Sequence, residues 1–311
     1  MALPDSVGLL DASLVPAIAV MLAFSACART APPAVPEVGT PETFDVATWN
    51  VEQFGNDGDE PEDERQIQNV ARVIDGAGVE LWALQEIVDA DDFARLIDAL
   101  GDEWDAVLDR SSSSLKFAFV FRRDAVTPRR VERVLEHEER AFAGRPPLLF
   151  EADLTVAGGS VRVAFINLHM KAYEDETSYE RRARASVLLD SLLEMSPFHD
   201  ARVVVMGDFN DRLSESIRDG HPSPYRNFIV DGDSYRFATA DLDEEGLGTY
   251  CFDPACKRTS AIDHILVTDE LFDAAQEAVR YDALLESIDS FRTTTSDHLP
   301  VVLRLHLRPV N

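Results

Sequence analysis

Polar side chains that bind metal ions or transfer protons stand at the ends of several apolar runs in this sequence. They are carboxylates, amides and imidazoles: Asn50, Glu52, Glu86, His169, Asp208, Asn210, Asp263, Asp297 and His298. Because ligands of open α/β sheets bind at strand ends, we expect these groups to converge on one pocket. Carboxylate and amide oxygens suit a hard divalent cation, Mg²⁺ above all, with Mn²⁺ or Ca²⁺ as alternatives. The sequence has no paired His residues or Cys ligands beside these groups, which disfavours zinc.

The apolar runs themselves predict the strands of a layered α/β domain. The segments expected as buried strands are FDVATW, LWALQ, FAFVF, VRVAFINL, RVVVMG, AIDHILV and PVVLRLHL. Helical spacing of apolar residues predicts three helices: Ile67, Val70, Ala71 and Ile74 in the first, Phe93, Leu96, Ile97 and Leu100 in the second, and Ala185, Leu188, Leu189 and Leu192 in the third. Thr177 and Glu180 stand in capping-box spacing at the start of the third helix.

Residues 44–308 are predicted as one domain, because no second hydrophobic core is evident. The stretch from about Ser214 to Tyr250 has little periodicity and is expected as a long surface excursion.

The composition is that of a globular protein with a strong negative charge. Of 311 residues, 45% are hydrophobic, which provides a buried core and excludes disorder over most of the chain. Collagen-like, low-complexity and solenoid folds are also excluded, since no repeat is present. The 29 Lys and Arg residues against 57 Asp and Glu give a net charge of −28, which repels polyanions and anionic membranes. A phosphate-bearing substrate must therefore be captured locally, by metal ions or a few placed cations.

The N-terminal segment, residues 1–26, is typical of an export signal. An uncharged run from Ala12 to Ala26 ends at Cys27, and it is shorter than the ~20 residues of a membrane-spanning helix. The small residues before Cys27 resemble a bacterial lipoprotein signal, in which that Cys is acylated and becomes the new N-terminus. A plain secretory signal or a buried N-terminal helix is the alternative. Residues 27–43 are rich in Pro and small residues and are predicted as a linker.

An export signal implies an exported protein. We expect either an outer-membrane or cell-surface lipoprotein with a lipid anchor, or a periplasmic or secreted protein. Two further cysteines, Cys251 and Cys256, lie close together in GTYCFDPACKRTS. In an oxidising compartment such a pair commonly closes a small loop by a disulfide. Two free thiols are the alternative.

Six motifs, in order along the chain, resemble those of the endonuclease/exonuclease/phosphatase superfamily: WNVEQF, LQEI, INLHMKA, GDFND, IDHIL and SDHLP. This superfamily includes pancreatic-type deoxyribonucleases, abasic-site endonucleases, bacterial sphingomyelinases and inositol polyphosphate phosphatases. The resemblance covers nearly all of residues 44–308. It implies a four-layer α/β sandwich, in which two mixed β-sheets pack face to face with helices on the outside. It also implies metal-dependent hydrolysis of phosphodiester bonds.

The resemblance assigns metal binding to four of the matching residues. Glu86 would be the main ligand, with Asn50 and Asp297 near it and Glu52 as a weaker candidate. The metal ion would bind a phosphate oxygen and neutralise the charge that develops in the transition state.

The resemblance assigns proton transfer and phosphate contacts to a second group. His298 would be the general base that activates the attacking water, and Asp263 would fix its tautomer and stabilise the imidazolium. His169 and Asn210 would donate hydrogen bonds to the phosphoryl oxygens. Asp208 would either orient the nucleophile or protonate the leaving oxygen.

Each of these residues, taken singly, is also compatible with an ordinary turn or strand end. Six motifs in one order favour a site instead. His264 alternates to the other face of its strand from Asp263, so it is predicted to be structural.

A secreted nuclease is the function that the sequence favours. SSSSLKFAFVFRR and HMKA resemble segments of secretory deoxyribonucleases and bacterial extracellular nucleases. Nucleic acid is therefore the expected substrate, and no protein partner is predicted. Ser113 and Leu115 stand where those deoxyribonucleases carry Tyr and Glu, so the usual Glu partner of His169 is missing. Lys171 and Arg181 follow His169 and are candidates to meet a substrate phosphate.

Two other functions remain open. A phospholipid or inositol-phosphate phosphohydrolase, similar to sphingomyelinases, would require an exposed aromatic hairpin or a basic pocket, and neither is evident in the sequence. The acidic composition is nevertheless awkward for a nuclease, because electrostatic affinity for nucleic acid depends on phosphate-neutralising residues. A catalytically silent binding module on the cell surface is disfavoured, since every expected catalytic position is filled.

Overall fold

The computed structural model describes residues 34–56, 60–276 and 278–309. Within these residues, the strands in chain order are β1 (Phe44–Phe54), β2 (Leu81–Ile87), β3 (Trp104–Leu108), β4 (Lys116–Arg122), β5 (Val126–Arg133), β6 (Leu148–Val156), β7 (Gly159–His169), β8 (Val203–Asp208), β9 (Tyr235–Phe237), β10 (Tyr250–Cys251), β11 (Thr259–Ser260), β12 (Asp263–Thr268), β13 (Val279–Arg280) and β14 (Val301–Leu305). The helices of the same residues are α1 (Glu60–Gly76), α2 (Ala90–Leu100), α3 (Glu176–Leu193), α4 (Arg226–Val230), α5 (Ala240–Glu244), α6 (Leu284–Ser287) and α7 (Phe291–Thr294). None of these described helices is long and apolar enough to cross a membrane.

Two mixed sheets, each of six strands, form the centre of the described fold. The strand order is β13-β14-β1-β2-β4-β3 in the first sheet and β5-β6-β7-β8-β12-β9 in the second. Each sheet has one parallel pair, β1 with β2 in the first and β7 with β8 in the second. These two parallel pairs contact each other across the sandwich.

Apolar side chains between the two sheets form the central core. Val46, Leu81 and Phe119 of the first sheet are buried in one cluster with Phe150 and Phe165 of the second. The rings of Phe119 and Phe150 stack with their centroids 4.9 Å apart. Full burial of one such side chain contributes roughly 1.5–3 kcal/mol, so the packed faces hold the two sheets together.

Helices cover the outer faces of the two sheets and complete the four layers. The apolar faces predicted for the first two helices pack on the first sheet as parts of α1 and α2. The third predicted face, on α3, packs on the second sheet. The predicted α/β sandwich with helices on the outside is therefore confirmed.

The start of α3 differs from the prediction. The N-cap is Asp175, whose Oδ1 accepts a hydrogen bond of 3.1 Å from the backbone N–H of Ser178. The helix therefore begins at Glu176, and the capping box that was predicted from Thr177 and Glu180 is wrong. An acidic side chain at the N-cap satisfies the free N–H groups of the first turn equally well.

The stretch from Ser214 to Tyr250 is not the surface excursion that its lack of periodicity predicted. It contains α4, β9 and α5, and β9 extends the second sheet beside β12. Tyr225, Phe228 and Phe237 of this stretch are buried in the layer outside the second sheet. Because these aromatic residues lie in turns and very short elements, no helical or strand period reveals them.

The predicted linker, residues 27–43, joins the fold earlier than expected. Val35 is buried, and the backbone N–H groups of Val38 and Gly39 donate hydrogen bonds to the carbonyl of Ala77. The Tyr281 hydroxyl also donates to the backbone carbonyl of Pro36. The packed domain therefore includes residues from 34 onward instead of beginning at 44. The predicted signal peptide and Cys27 lie outside the described residues.

Candidate active site

The carboxyl ends of the two parallel strand pairs meet at one edge of the sandwich. Asn50 belongs to β1 and Glu86 to β2. His169 is the last residue of β7 and pairs with Asp208, the last residue of β8. Asp208 also pairs with Asp263, the first residue of the antiparallel neighbour β12. The register of the two sheets therefore sets these predicted site residues side by side.

A break in the pairing of β1 with β2 turns two acidic residues toward this edge. The register shifts between Asn50 and Phe54, where extra residues of β1 are accommodated as a bulge. The φ angles of Glu52 and Glu86 are positive, at 46° and 66°, and such backbone strain in non-Gly residues clusters at functional sites. The Gln53 N–H donates to Glu86 Oε2 at 2.9 Å and holds this carboxylate in place.

A compact group of oxygen ligands forms around Asn50. Its Nδ2 donates to Glu86 Oε1 at 3.0 Å and to Asp208 Oδ2 at 3.1 Å. His169 Nε2 lies 3.7 Å from Glu86 Oε1 and 3.5 Å from Asp208 Oδ2. Ligand atoms of Glu86, His169 and Asp208 all lie within 4.8 Å of one another. This set of two carboxylates beside an amide fits a hard divalent cation.

The electrostatics of the site also favour a bound cation. Burial, and then repulsion from Asp263, raise the pKa of Asp208 to about 7. Burial, and then repulsion from Asp297, raise the pKa of Glu52 to about 7. Of the nearby cations, Arg292 lies 3.5 Å from Glu52 and 3.6 Å from Asp297, distances too long for close ion pairs. A divalent ion would supply the positive charge that these carboxylates lack.

His298 and Asp263 form a buried hydrogen-bonded pair beside this group. His298 Nδ1 lies 2.8 Å from Asp263 Oδ2, and the Thr249 hydroxyl donates to the same oxygen at 2.5 Å. Burial opposes the charged imidazole, but the attraction of Asp263, with further contributions from Asp208 and Asp297, raises the pKa of His298 well above its usual value. With Nδ1 bound to Asp263, Nε2 faces Asp208 at 3.9 Å and Asp297 at 3.7 Å.

A cleft of about 570 Å³ opens over these groups. Of the predicted metal-binding and catalytic residues, Asn50 and Asp263 do not line it, and the others do: Glu52, Glu86, His169, Asp208, Asn210, Asp297 and His298. Tyr173, Tyr250 and Phe252 also line it, and none of these three was predicted.

The comparisons with known proteins agree with this geometry. The sequence profile of the Endonuclease/Exonuclease/phosphatase family matches residues 47–298, which is most of the chain and spans every predicted catalytic residue. The chain belongs to this family. Members of the family are phosphohydrolases that use divalent metal ions, so phosphohydrolase chemistry is supported for the chain. No curated protein sequence matches it.

Several solved structures show the same fold. A family member from Bacteroides thetaiotaomicron aligns over 86% of this chain and 98% of its own, with a TM-score of 0.60 and 18% identity. A humanized TDP2 from D. rerio aligns over 85% and 99%, with a TM-score of 0.60 and 14% identity. A mannosyl-6-phosphatase from B. thetaiotaomicron aligns over 85% and 99%, with a TM-score of 0.57 and 18% identity. At these identities the likeness establishes the fold alone.

His169 differs from His298 in having no carboxylate on its second ring nitrogen. Its Nδ1 is buried without a hydrogen-bond partner among the described residues, in keeping with the missing Glu noted at Ser113 and Leu115. Burial, and then the charge of Arg145, lower the pKa of His169 well below its usual value. This family member therefore holds His169 as a neutral imidazole.

The two cations expected at the substrate phosphate lie outside the cleft lining. Lys171 Nζ sits 4.2 Å from the ring centroid of Tyr173, and Arg181 Nε donates to the backbone carbonyl of Arg140 at 2.7 Å. Asn210 does line the cleft, but its Nδ2 donates to the Met170 carbonyl at 3.2 Å. A side-chain amide carries two N–H groups, so one remains for a substrate.

Several supporting residues carry no motif and were missed. Arg145 donates to the carbonyls of His169 and Met170, at 3.4 and 3.2 Å, and anchors the end of β7. Thr249 holds Asp263, as described above, and Arg292 faces Glu52. Each of these side chains comes from a loop or a short element where no periodic pattern marks it.

The predicted bridge between Cys251 and Cys256 is present. It closes the loop that follows β10, and the backbone N–H of Cys251 donates to the carbonyl of Asp297 at 2.7 Å. The predicted structural role of His264 also agrees with its contacts. It is buried, with Nδ1 3.0 Å from the Thr239 hydroxyl and Nε2 3.0 Å from the carbonyl of Asp211.

Proposed function

We propose that this chain is a divalent-metal-dependent phosphodiesterase that hydrolyses nucleic acid. The observation that supports it most is the buried Asp263–His298 pair, which opens onto the same cleft as the carboxylates around Asn50. A general base and a cation site side by side are what attack of water on a phosphodiester requires.

His298 is proposed to take the proton from the attacking water at Nε2. Its Nδ1–H is directed to Asp263, which leaves Nε2 as the basic atom on the cleft side. Once protonated, the imidazolium is stabilised by Asp263, Asp208 and Asp297. Thr249 donates to Asp263 and fixes the orientation of that carboxylate.

Glu86 and Asn50 are proposed to hold the cation, with Asp297 and Glu52 on the Arg292 side of the cleft as outer contributors. Oxygen ligands and the absence of Cys among the lining residues favour Mg²⁺, with Mn²⁺ or Ca²⁺ as substitutes. When bound, the ion neutralises charge on the phosphoryl oxygens.

The remaining cleft residues are proposed to contact the phosphate itself. Neutral His169 and the free N–H of Asn210 donate hydrogen bonds to its oxygens. Asp208 lies between the two histidines, 3.5 Å from His169 Nε2 and 3.9 Å from His298 Nε2. From that position Asp208 either orients the attacking water or protonates the leaving oxygen.

The residues that line the cleft limit how many phosphate groups of a substrate this site can neutralise. Among the described residues, those that line the cleft include no Lys or Arg, and the nearby Arg292 already faces Glu52 and Asp297. The several phosphates of an inositol polyphosphate would therefore lack cations to neutralise them. A single diester that the cation neutralises fits this site. A phospholipid headgroup is the second candidate, because Phe252 is an exposed aromatic residue on a short hairpin.

Hydrolysis by the purified full chain tests the proposal. Supercoiled DNA, single-stranded DNA, RNA and sphingomyelin vesicles are incubated with Mg²⁺, Mn²⁺ or Ca²⁺ and, separately, with EDTA. We expect metal-dependent cleavage of nucleic acid, lost in EDTA and in His298→Ala. Cleavage in EDTA would refute the proposed metal dependence. Cleavage of sphingomyelin alone would refute nucleic acid as the substrate.

A further inference from the structure

The exposed aromatic side chains in the part of the chain that the structure describes lie at one cleft. Among the described Phe, Tyr and Trp residues, only Tyr173 and Phe252 are largely exposed, at 71% and 54%. Both line the cleft that contains His298 and Glu86. Exposing an aromatic side chain to water has a cost in hydrophobic free energy, so two such residues at one cleft indicate a ligand surface.

Both side chains are held by their surroundings. Phe252 follows β10, its N–H donates to the carbonyl of Arg258 at 3.0 Å, and the disulfide Cys251–Cys256 closes its loop. The ring of Phe252 contacts the edge of Tyr250 at 4.9 Å, and Tyr250 lies 5.1 Å from the His298 ring. A row of rings therefore leads from the mouth of the cleft to the proposed base.

Tyr173 lines the same cleft and follows His169 by four residues along the chain. Its φ is +80°, a conformation that bulky side chains rarely adopt, and Lys171 Nζ lies over its ring. One face of the ring is thus taken by the protein's own cation, and the side chain remains exposed for a ligand.

We propose that Tyr173 and Phe252 stack on the bases that flank the scissile phosphate of single-stranded nucleic acid. The inference rests on the proposed phosphodiesterase function and specifies its substrate. Base–aromatic stacking provides affinity for single strands without phosphate-neutralising residues. This protein needs that source of affinity, because its net charge is −28 and no described residue of the cleft lining is Lys or Arg. Bases stacked inside a duplex are not available to the two rings.

Acidic neighbours of the two rings disfavour a lipid surface as the ligand. Tyr173 is followed by Glu174 and Asp175, and Phe252 by Asp253. Asp253 folds its own loop by accepting hydrogen bonds from three backbone N–H groups, including those of Ala255 and Arg258. A hairpin that inserts into a bilayer presents a continuous apolar tip, whereas this one presents a single ring beside charges.

Equilibrium binding separates stacking from catalysis. Fluorescein-labelled hexathymidylate and a hexamer of the same length with abasic sites are titrated with His298→Ala protein in Ca²⁺ buffer, and anisotropy is measured. We expect hexathymidylate to bind more tightly than the abasic hexamer by about 5- to 150-fold per stacked base. Phe252→Ala and Tyr173→Ala should each remove such a factor, and Phe252→Trp should retain it.

Met195→Ala is the matched control. Met195 is also 54% exposed, and it follows the far end of α3, about 27 Å along that helix from the cleft. This variant should bind like its parent. Binding of hexathymidylate should also weaken only slightly with added salt, since few counterions are released.

Two results would overturn the proposal: equal affinity for hexathymidylate and the abasic hexamer, or unchanged affinity in both ring variants. Loss of binding to sphingomyelin vesicles in Phe252→Ala, with hexathymidylate binding intact, would assign the rings to a lipid instead. The proposed function is judged separately, by hydrolysis of methyl p-nitrophenyl phosphate, which has no base. If base-dependent binding is found but no diester is hydrolysed, stacking stands and the phosphodiesterase proposal fails.

Discussion

Replacing His298 by Ala should lower turnover by ~10²–10⁴-fold, the range for loss of a positioned general base. The structure adds a second consequence. Without the imidazole, Asp263 keeps the Thr249 hydroxyl as its side-chain donor but remains buried, at 1% exposure. The variant removes one of the two hydrogen bonds to this buried carboxylate. A hydrogen bond to a charged group contributes about 1.5–3 kcal/mol, so the melting temperature should fall together with turnover.

The variants of its partners should form a graded series. Asp263→Asn presents an amide that can stabilise the wrong imidazole tautomer, so its turnover should be nearly as low as that of His298→Ala. Thr249→Val keeps the Asp263 charge and removes one hydrogen bond to it. Hydrogen bonds to charged groups contribute about 1.5–3 kcal/mol, which corresponds to a loss of about 10- to 150-fold.

The assay is steady-state hydrolysis of thymidine 5′-(p-nitrophenyl phosphate), with kcat and KM measured separately. We expect the losses to appear in kcat, and the double variant His298→Ala with Asp263→Asn to be little slower than His298→Ala alone. His199→Ala, at a histidine whose side chain is 67% exposed, is the control and should behave like the parent. Losses that multiply in the double variant, or normal turnover in His298→Ala, would refute the assigned pair.

Three further predictions concern the cation, pH and export. Glu86→Gln should raise the metal concentration needed for half-maximal activity, because it removes a charge from the proposed ligands; an unchanged metal titration would place the ion elsewhere. Burial, with a smaller contribution from the Asp45 charge, raises the pKa of Glu80 from 4.5 to about 7 against the hydrogen bond from the Asp45 N–H, so its stabilising protonated form is lost as pH rises through that range. Glu80→Gln should therefore raise the melting temperature at pH 8 and leave it unchanged at pH 4; equal shifts at both would contradict this. If Cys27 is acylated, the full chain should partition into detergent and Cys27→Ala should not; equal partitioning of both would exclude the anchor.

The strands that could be predicted are those with continuous apolar runs, since both faces of these central strands are covered. β5 was not predicted, because VTPRRVER is largely exposed and lies at the edge of the second sheet. An edge strand needs no apolar face, and its Pro128 is tolerated where the register with β6 shifts. β6 was also missed, although LLFEADLTV alternates, and its buried residues follow that alternation at its C-terminal half.

The positions of the site residues could be predicted because strand ends and short polar motifs are local features. The supporting contacts could not, because they join distant parts of the chain. Thr249 and Asp263 are fourteen positions apart, with the β10–β11 hairpin between them, and Arg145 reaches the end of β7 from a separate loop. The exposure of Phe252 is equally invisible in the sequence, where it is one of 17 Phe residues.

The two site histidines show what the structure adds to a motif. In the sequence, His169 ends one apolar run and His298 precedes another. Only the order of the family motifs along the chain distinguishes their roles. In the structure, His298 faces three carboxylates that raise its pKa, whereas His169 is buried near Arg145 and its pKa falls. When the environments of two titratable groups push their pKa values apart, one group is suited to proton transfer and the other to hydrogen bonding. His298 accepts a proton from water only in its neutral form, and a cation beside Asp208 and Asp297 would offset two of the carboxylates that raise its pKa. His169, which is kept neutral, is the imidazole suited to contact a phosphoryl oxygen.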